Sequence, residues 1–247
     1  VGLLVGILTA IYWVFLVSIP YCLYILTWEQ LLISYIMFWF LGDCIHGLFL
    51  HRYAAHKLWN PPVWLQNVLT MFSVGSLTGT PITWSAWHRT HHHYADTAKD
   101  PHSPRYCSVP YMIFMSYYHY AEPKRCIDLF RNKFVAHVTK HIGLYALSIN
   151  LILLSLLGLE MYLYLWLLPS AMTNAITNYG INVMCHQEDG IKNRPILYPL
   201  IFNETHHKNH HIKPELRYYK FDIWVSLITL LGWTNERSKK DTVISVT

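Results

Sequence analysis

The sequence predicts an all-α, polytopic membrane protein with four transmembrane helices and a cytoplasmic, histidine-rich helical cap holding a dimetal site. Three observations lead there. The composition is apolar: 53% of the 247 residues are hydrophobic, only 13% are charged and the mean hydropathy is +0.22, whereas soluble domains carry about 25% charged residues. The cations are segregated: all 19 lysines and arginines fall in residues 52–140 and 192–240, with none in 1–50 or 141–190. The pattern H-x-x-H-H occurs twice, as His88, His91 and His92 and as His207, His210 and His211.

Residues 1–26 carry no charge, and about 20 such residues cross a hydrocarbon core. Pro20 is placed to kink the end of this first span. Trp28 and Glu29 make a short polar break. Residues 31–50 form the second span, interrupted by Asp43 and His46, and run into His51-Arg52-Tyr53-Ala54-Ala55-His56. Residues 61–87 are also uncharged, but Pro61, Pro62, Gly75, Gly79 and Pro81 break any long helix. They read as interfacial or re-entrant helix; the alternative, a third full span, would put the two H-x-x-H-H runs on opposite sides unless another span compensates. Residues 88–140 are polar and basic, with an aromatic patch at 111–120 suited to the bilayer surface. Residues 142–159 and 161–185 are uncharged and read as a helical hairpin broken at Glu160. The tail from His186 is polar except for 221–233, which reads as an amphipathic interfacial helix.

The positive-inside rule then sets the topology. The connections at Glu29 and Glu160 carry no basic residue and face outward, while residues 51–141 and 186–247 are cytoplasmic, as are both termini. Four spans bring every histidine run to one side of the membrane, as a shared site requires. No Gly/Ser linker, low-complexity run or repeat beyond the histidine box divides the chain, so residues 1–247 read as one integral-membrane domain. Cys22, Cys44, Cys107, Cys126 and Cys185 form no C-x-x-C pair, so neither a zinc ribbon nor a dithiol motif is supported. The net charge of +5 follows from the topology and gives no reason to expect a nucleic-acid partner.

Positions i, i+3 and i+4 lie on one helix face. His88, His91 and His92 therefore point three imidazoles at one volume, and so do His207, His210 and His211. Buried unpaired imidazoles are costly and charged ones repel; a metal satisfies them. One such run reads equally well as a basic surface patch, but two in one chain, with further spaced histidines, favour metal. His51 and His56 are five apart, about 140° around an α-helix, and flank a site only if the helix end distorts. Asn182 and His186 lie one turn apart at the end of the last span, where the alternative is an interhelical hydrogen bond. The set offers nine histidines and one asparagine from four segments. A structural zinc takes four ligands, so this set fits two metals better than one. Imidazole suits Fe, Zn or Cu, and the absence of thiolates argues against Cu(I) or an iron–sulfur cluster.

The order H-x-x-x-x-H, H-x-x-H-H, N-x-x-x-H, H-x-x-H-H on four spans resembles the integral-membrane fatty acyl desaturases of the stearoyl-CoA Δ9 type. The flanks agree: His51-Arg52; His88-Arg89-Thr90-His91-His92 followed by Asp96-Thr97 and Asp100-Pro101-His102; Glu204 three residues before His207; and Phe221-Asp222 after the last box. The likeness runs from the first span to about Trp233. It implies that His51, His56, His88, His91, His92, His186, His207, His210 and His211 ligate two irons, with Asn182 reaching one through a water. It implies an O2-dependent oxidoreductase that introduces a cis double bond, Δ9 by likeness, into a saturated acyl chain on CoA or lipid. Electrons would come from an external ferredoxin or cytochrome b5-like donor. The nearest rival is a histidine-box lipid hydroxylase or ketolase. A rival of another class, a membrane metal transporter, needs ligands near the bilayer midplane, whereas these boxes lie outside the spans.

Carboxylates commonly hold the far nitrogen of ligating histidines. Asp96 and Glu204 are the candidates, against the plainer reading of solvated loop carboxylates. Trp84 and Trp87 either wall an acyl tunnel or anchor the bilayer interface. Arg52, Arg89 and Arg105 are candidates for meeting the phosphates of CoA, a carrier protein or lipid headgroups. Asp43 and His46 pair with each other or orient a ligand. His93 and His206 adjoin the boxes but are assigned no metal, and His102, His119, His137 and His141 read as surface residues. Asn203-Glu204-Thr205-His206 stands where the family commonly has a Gly-Glu-Gly-aromatic run, which alters the loop and leaves the ligands intact.

Overall fold

A computed structural model describes residues 2–109, 112, 122–214 and 222–234, with 2–12, 178 and 179 by backbone alone. The aromatic patch at 111–120, Met112 apart, lies outside the described residues, as do His119 and the tail beyond 234. Among the described residues the chain is helical apart from loops, one isolated bridge and one small hairpin.

Helix α1 (Gly2–Ile25) has 24 residues and is about 36 Å long. Thr27 caps α2 (Trp28–Trp39) in a reciprocal capping box with Gln30. Without a break, α2 passes into a π-helix, Phe40–Ala55. Residues 61–87 split into α3 (Val63–Gly75) and α4 (Pro81–Tyr94). At 13 residues α3 is about 20 Å long, short of the ~30 Å hydrocarbon core. The turn between them is tight, with Leu77 and Gly79 at positive φ. Thr80 and Thr83 form a second capping box with Pro81 at the first helical position, so α4 starts sharply.

A 3-10 helix (Pro123–Arg131) and α5 (Lys133–Lys140) lead into α6 (Ile142–Tyr162). The helical run Ile142–Cys185 and the run Trp28–Ala55 are each long and apolar enough to cross a membrane. The first of these is not straight. Gly158 takes φ 72° and ψ 168°, a region essentially restricted to glycine, and the chain folds back there. Tyr162 Oη and Trp166 Nε1 donate to Asn150 Oδ1 at 2.7 and 3.1 Å, whereas residues 150 and 166 of an unbroken helix lie about 24 Å apart. The break therefore falls at Gly158 and not at Glu160. A carboxylate is compatible with a helical backbone, but this backbone is compatible only with glycine. Glu160 instead accepts from Gln30 Nε2 at 2.7 Å, tying the two interhelical connections together.

Past the turn come a π-helix (Leu163–Leu167), α7 (Leu168–Met172), a further π-helix (Thr173–Gly180) and α8 (Ile181–Cys185). The α3–α4 turn is buried against this hairpin, and buried carbonyls need donors. Asn150 donates to Gly75 O at 3.0 Å and Asn174 to Ser76 O at 2.7 Å. Gly75 permits the approach: a Cβ there would lie 2.7 Å from Ile149. After α8, β1 (His186–Gln187) pairs antiparallel with β2 (Gly190–Ile191). Then follow α9 (Tyr198–Ile201), a 3-10 turn (Phe202–His206), α10 (His207–Ile212) and α11 (Ile223–Leu230). The main core gathers Leu41, Ile45, Phe49, Val74, Trp166 and Leu168, while α1 and α6 expose apolar residues such as Tyr24 and Leu156. Helices apolar on every side are the pattern of membrane spans.

Candidate metal centre

Four elements deliver histidines to one place. The end of the first π-helix brings His51 and His56; α4 brings His88, His91 and His92; β1 brings His186; α10 brings His207, His210 and His211. The rings sort into two groups, each with its ring nitrogens within 4.8 Å of one another: His51, His56, His88, His92 and His210, and His91, His186, His207 and His211. Each H-x-x-H-H run is divided. Helix α4 gives His88 and His92, one turn apart, to the first group and His91 to the second. Helix α10 gives His207 and His211, one turn apart, to the second group and His210 to the first.

The π-helix explains His51 and His56. The His56 N–H bonds to the His51 carbonyl at 3.2 Å, an i→i+5 link that makes residues five apart neighbours. Their ring centroids are 4.9 Å apart. The distortion anticipated at the helix end is a change of winding over 16 residues. Asn182 sits on α8 just before His186 and lines the same cavity as His207.

Carboxylates meet the far nitrogens. Asp96 Oδ1 lies 3.1 Å from His186 Nδ1. Glu204 bonds His51 Nδ1 through one oxygen and lies 3.8 Å from His207 Nδ1 through the other, so it touches both groups. A third carboxylate, Asp100, was not among the candidates. Its oxygens are 2.8 and 2.9 Å from His91 Nδ1, and they also accept the N–H groups of Asp96 and His102. Its place in the Asp100-Pro101-His102 flank was the available signal.

A carboxylate only accepts, so His51, His91 and His186 donate from Nδ1 and present a bare Nε2. The Nε2 atoms face one another: His51 and His92 each lie 2.9 Å from His210, and His56 lies 3.0 Å from His88. In the second group the separations are 3.0 Å for His186–His207, 3.1 Å for His207–His211 and 3.3 Å for His91–His211. Where two such nitrogens both present lone pairs they repel at this range, and a cation between them removes the repulsion. Two nitrogens bonded to one metal at about 2.0–2.1 Å lie about 2.8–3.4 Å apart at angles between square and tetrahedral. The observed separations match, so the residues fit one metal ion per group.

Burial, reinforced by neighbouring imidazoles, pushes these histidines down: His186 to about 4, His92 to about 2, and His56, His88, His91, His210 and His211 well below the ordinary value. They are neutral at neutral pH, the form that binds metal. Burial alone would raise the Glu204 carboxyl, but His51 and His207 beside it hold it well below its ordinary range.

A cavity of about 100 Å³ opens onto both groups, with Trp84, Trp87, Ile181 and Asn182 among its walls. Thr78 and Thr177 also line it, with their hydroxyls donated to the carbonyls of Ser73 and Thr173. His46 lines it edge-on to Trp84, with centroids 5.0 Å apart. Asp43 accepts from Asn203 Nδ2 at 3.2 Å. His102 is not a plain surface residue, since it is half-buried on the cavity wall beside Trp87. His206 is buried and His93 exposed.

The arginines expected to meet phosphates are used inside the fold. Arg52 pairs with Asp222, the cap of α11. Arg89 bonds Asp128 and the carbonyls of Ala54, Ala55 and Arg125, clamping α4 to the π-helix. Arg105 donates twice to Gln187 O and lies 3.6 Å from Asp96. A guanidinium with five donors cross-links backbone ends, and all three adjoin segments that must be held for the ligands to converge.

Residues 26–225 match the sequence model of the fatty acid desaturase family. The chain is 28% identical over 199 residues to the Delta-9 acyl-lipid desaturase 2 of Arabidopsis thaliana, covering 75% of this chain and 64% of that protein. It is 24% identical over 226 residues to the sn-1 stearoyl-lipid 9-desaturase of Anabaena variabilis, covering 83% of each. It thus spans less than two thirds of the Arabidopsis relative.

Proposed function

The chain belongs to the fatty acid desaturase family, and from that membership we propose that it is an acyl-lipid or acyl-CoA desaturase. It introduces a cis double bond, at Δ9 by likeness to its relatives, into a saturated acyl chain. The names of those relatives favour a lipid-carried substrate. The observation that carries the reading is the pair of histidine groups, five and four imidazoles, opening on one cavity. The overall reaction, R–CH2–CH2–R′ + O2 + 2e− + 2H+ → R–CH=CH–R′ + 2H2O, needs an external electron donor, of the ferredoxin or cytochrome b5 kind. Two irons held by the nine histidines, with Asn182 reaching one of them through a water, would supply the oxidising power that side chains lack.

The chain's own residues position and exclude. Glu204, Asp100 and Asp96 fix the ring orientation and tautomer of His51, His91 and His186. Trp84, Trp87 and Ile181 wall the channel that holds two neighbouring methylenes against both groups. Thr78 and Thr177, with their hydroxyls turned to the backbone, keep that wall compatible with an alkyl chain. Residues 1–247 form one domain with spans at 1–26, 31–50, 142–157 and 159–185, the last two parted at Gly158, and segments 51–141 and 186–247 are cytoplasmic with both termini. The Gln30–Glu160 bond and the turn at Gly158 support this arrangement, as does the placement of the cations.

The test is expression with an electron donor in a host lacking its own desaturase, followed by mass spectrometry of cellular fatty acids with double-bond localisation. A new monounsaturated acid, lost in His91→Ala and His210→Ala, is expected. Hydroxy acids in its place would make the chain a hydroxylase.

A further inference from the structure

A second cleft, of about 480 Å³, lies between the start of α3 and the junction of the Pro123–Arg131 helix with α5. It has no wall residue in common with the cavity at the metal groups. Its polar wall includes Gln66, Asn67, Asp128, Arg131, Asn132 and Lys133, and the Asp128 carboxylate is already paired with Arg89 and Lys57 at 2.7 and 3.1 Å. Asn132 is fully used: its amide donates to Gln66 and Asn67 at 3.0 Å, and its oxygen caps α5. The cations are not. Arg131 and Lys133 are exposed and, among the described residues, form no ion pair, in contrast to Arg52, Arg89 and Arg105.

The surrounding surface alternates apolar and cationic groups. Over residues 123–140 the exposed side chains include Ile127 and Phe130 together with Lys124, Arg131, Lys133 and Lys140, and no acid. At the start of α3, Val63 and Trp64 are each 62% exposed. The apolar helix α6 begins just beyond, at Ile142. Apolar side chains level with cations, at the foot of an apolar helix, suit the bilayer interface, where rings enter the acyl boundary and cations meet headgroups.

We propose that this cleft binds the phosphate of an anionic phospholipid that is retained and not desaturated, with Arg131 and Lys133 on the phosphate and Ile127, Phe130 and Trp64 against its acyl chains. A lipid fits better than soluble phosphate because the rim is apolar and continuous with α6. The position matters for the metal centre. Asp128, on the cleft wall, bonds Arg89, which clamps α4 to the π-helix. The lipid thus seats on the joint that holds two ligand-bearing elements together.

The proposal rests on the bilayer reading above, but lipid retention does not depend on desaturation, so an inactive chain would still discriminate. Native mass spectrometry of the full chain, released from micelles with equal phosphatidylglycerol and phosphatidylcholine, reads it directly. Preferential retention of phosphatidylglycerol is expected. Arg131→Gln with Lys133→Gln should lower that preference by about tenfold or more, and each single variant by a smaller factor, so the result does not hang on the double variant folding. Lys99→Gln, an exposed cation elsewhere, should leave it unchanged, and inorganic phosphate should not displace the lipid. Parental retention by the double variant, equal loss in Lys99→Gln, or displacement by inorganic phosphate would each overturn the proposal.

Discussion

At the residue scale, the carboxylates behind the histidines divide the work. Asp100 and Asp96 each hold one histidine of the four-histidine group, whereas Glu204 reaches a histidine of each group. Asp100→Asn keeps the shape and removes the charge behind His91, so metal affinity and turnover should fall about 10–100-fold. Elemental analysis of purified protein should show that loss in about half the bound metal. Glu204→Gln should deplete both groups, and equal depletion by the two variants would contradict the division. The histidines also set a pH dependence. The folded values of His56, His88, His91, His92, His186, His210 and His211 lie below the ordinary 6.5, with His186 near 4 and His92 near 2, so below 6.5 the unfolded chain binds more protons than the folded one. The metal-free protein should therefore lose thermal stability steadily as pH falls from about 6.5 towards 4, with no matching loss on the alkaline side of neutrality. A midpoint flat across that window would contradict the buried neutral imidazoles. Asp96 and Glu204 were legible as partners from their places beside the boxes. Asp100 was harder to see, because nine residues and a turn separate it from His91.

At the element scale, winding decides what spacing means. Five residues between His51 and His56 look mismatched on an α-helix and aligned on a π-helix. Nothing in the local sequence announces sixteen residues of π-helix, because the winding is stabilised by what the helix packs against. Inserting one alanine between Ala54 and Ala55 should rotate His56 out of its group and release metal from the five-histidine group first, checked by metal content. The hairpin turn is the second such case. Gly158 has open space where a Cβ would stand, so the cost of Gly158→Ala is backbone strain alone. It should destabilise by about 1–3 kcal/mol, read as a lowered thermal midpoint in micelles. An unchanged midpoint would mean that the turn lies elsewhere.

At the scale of the whole molecule, the proposed topology puts Lys124 and Lys208 on one side of the bilayer and Glu160 on the other. In a cysteine-free background, Lys124→Cys and Lys208→Cys should react alike with a membrane-impermeant maleimide added to sealed vesicles, and Glu160→Cys should react oppositely. Reaction of all three from one side would refute four spans. Arg89, Arg52 and Arg105 carry a lesson at this scale. Read as loose cations they suit a phosphate, but in the fold they hold α4, the π-helix, α11 and β1 in place.

The sequence by itself determined the class of this protein. Apolar runs, segregated cations and two H-x-x-H-H boxes are local patterns, and their physical consequences, long apolar helices and three imidazoles on one helix face, need no knowledge of the rest of the chain. The division of nine histidines into groups of five and four was beyond it, as were the bond from Asp100 to His91 and the seating of the α3–α4 turn on Asn150 and Asn174. Those are decided only by the tertiary structure, because each depends on which atoms from distant segments arrive within about 3 Å of one another. Spacing along one helix cannot specify that meeting.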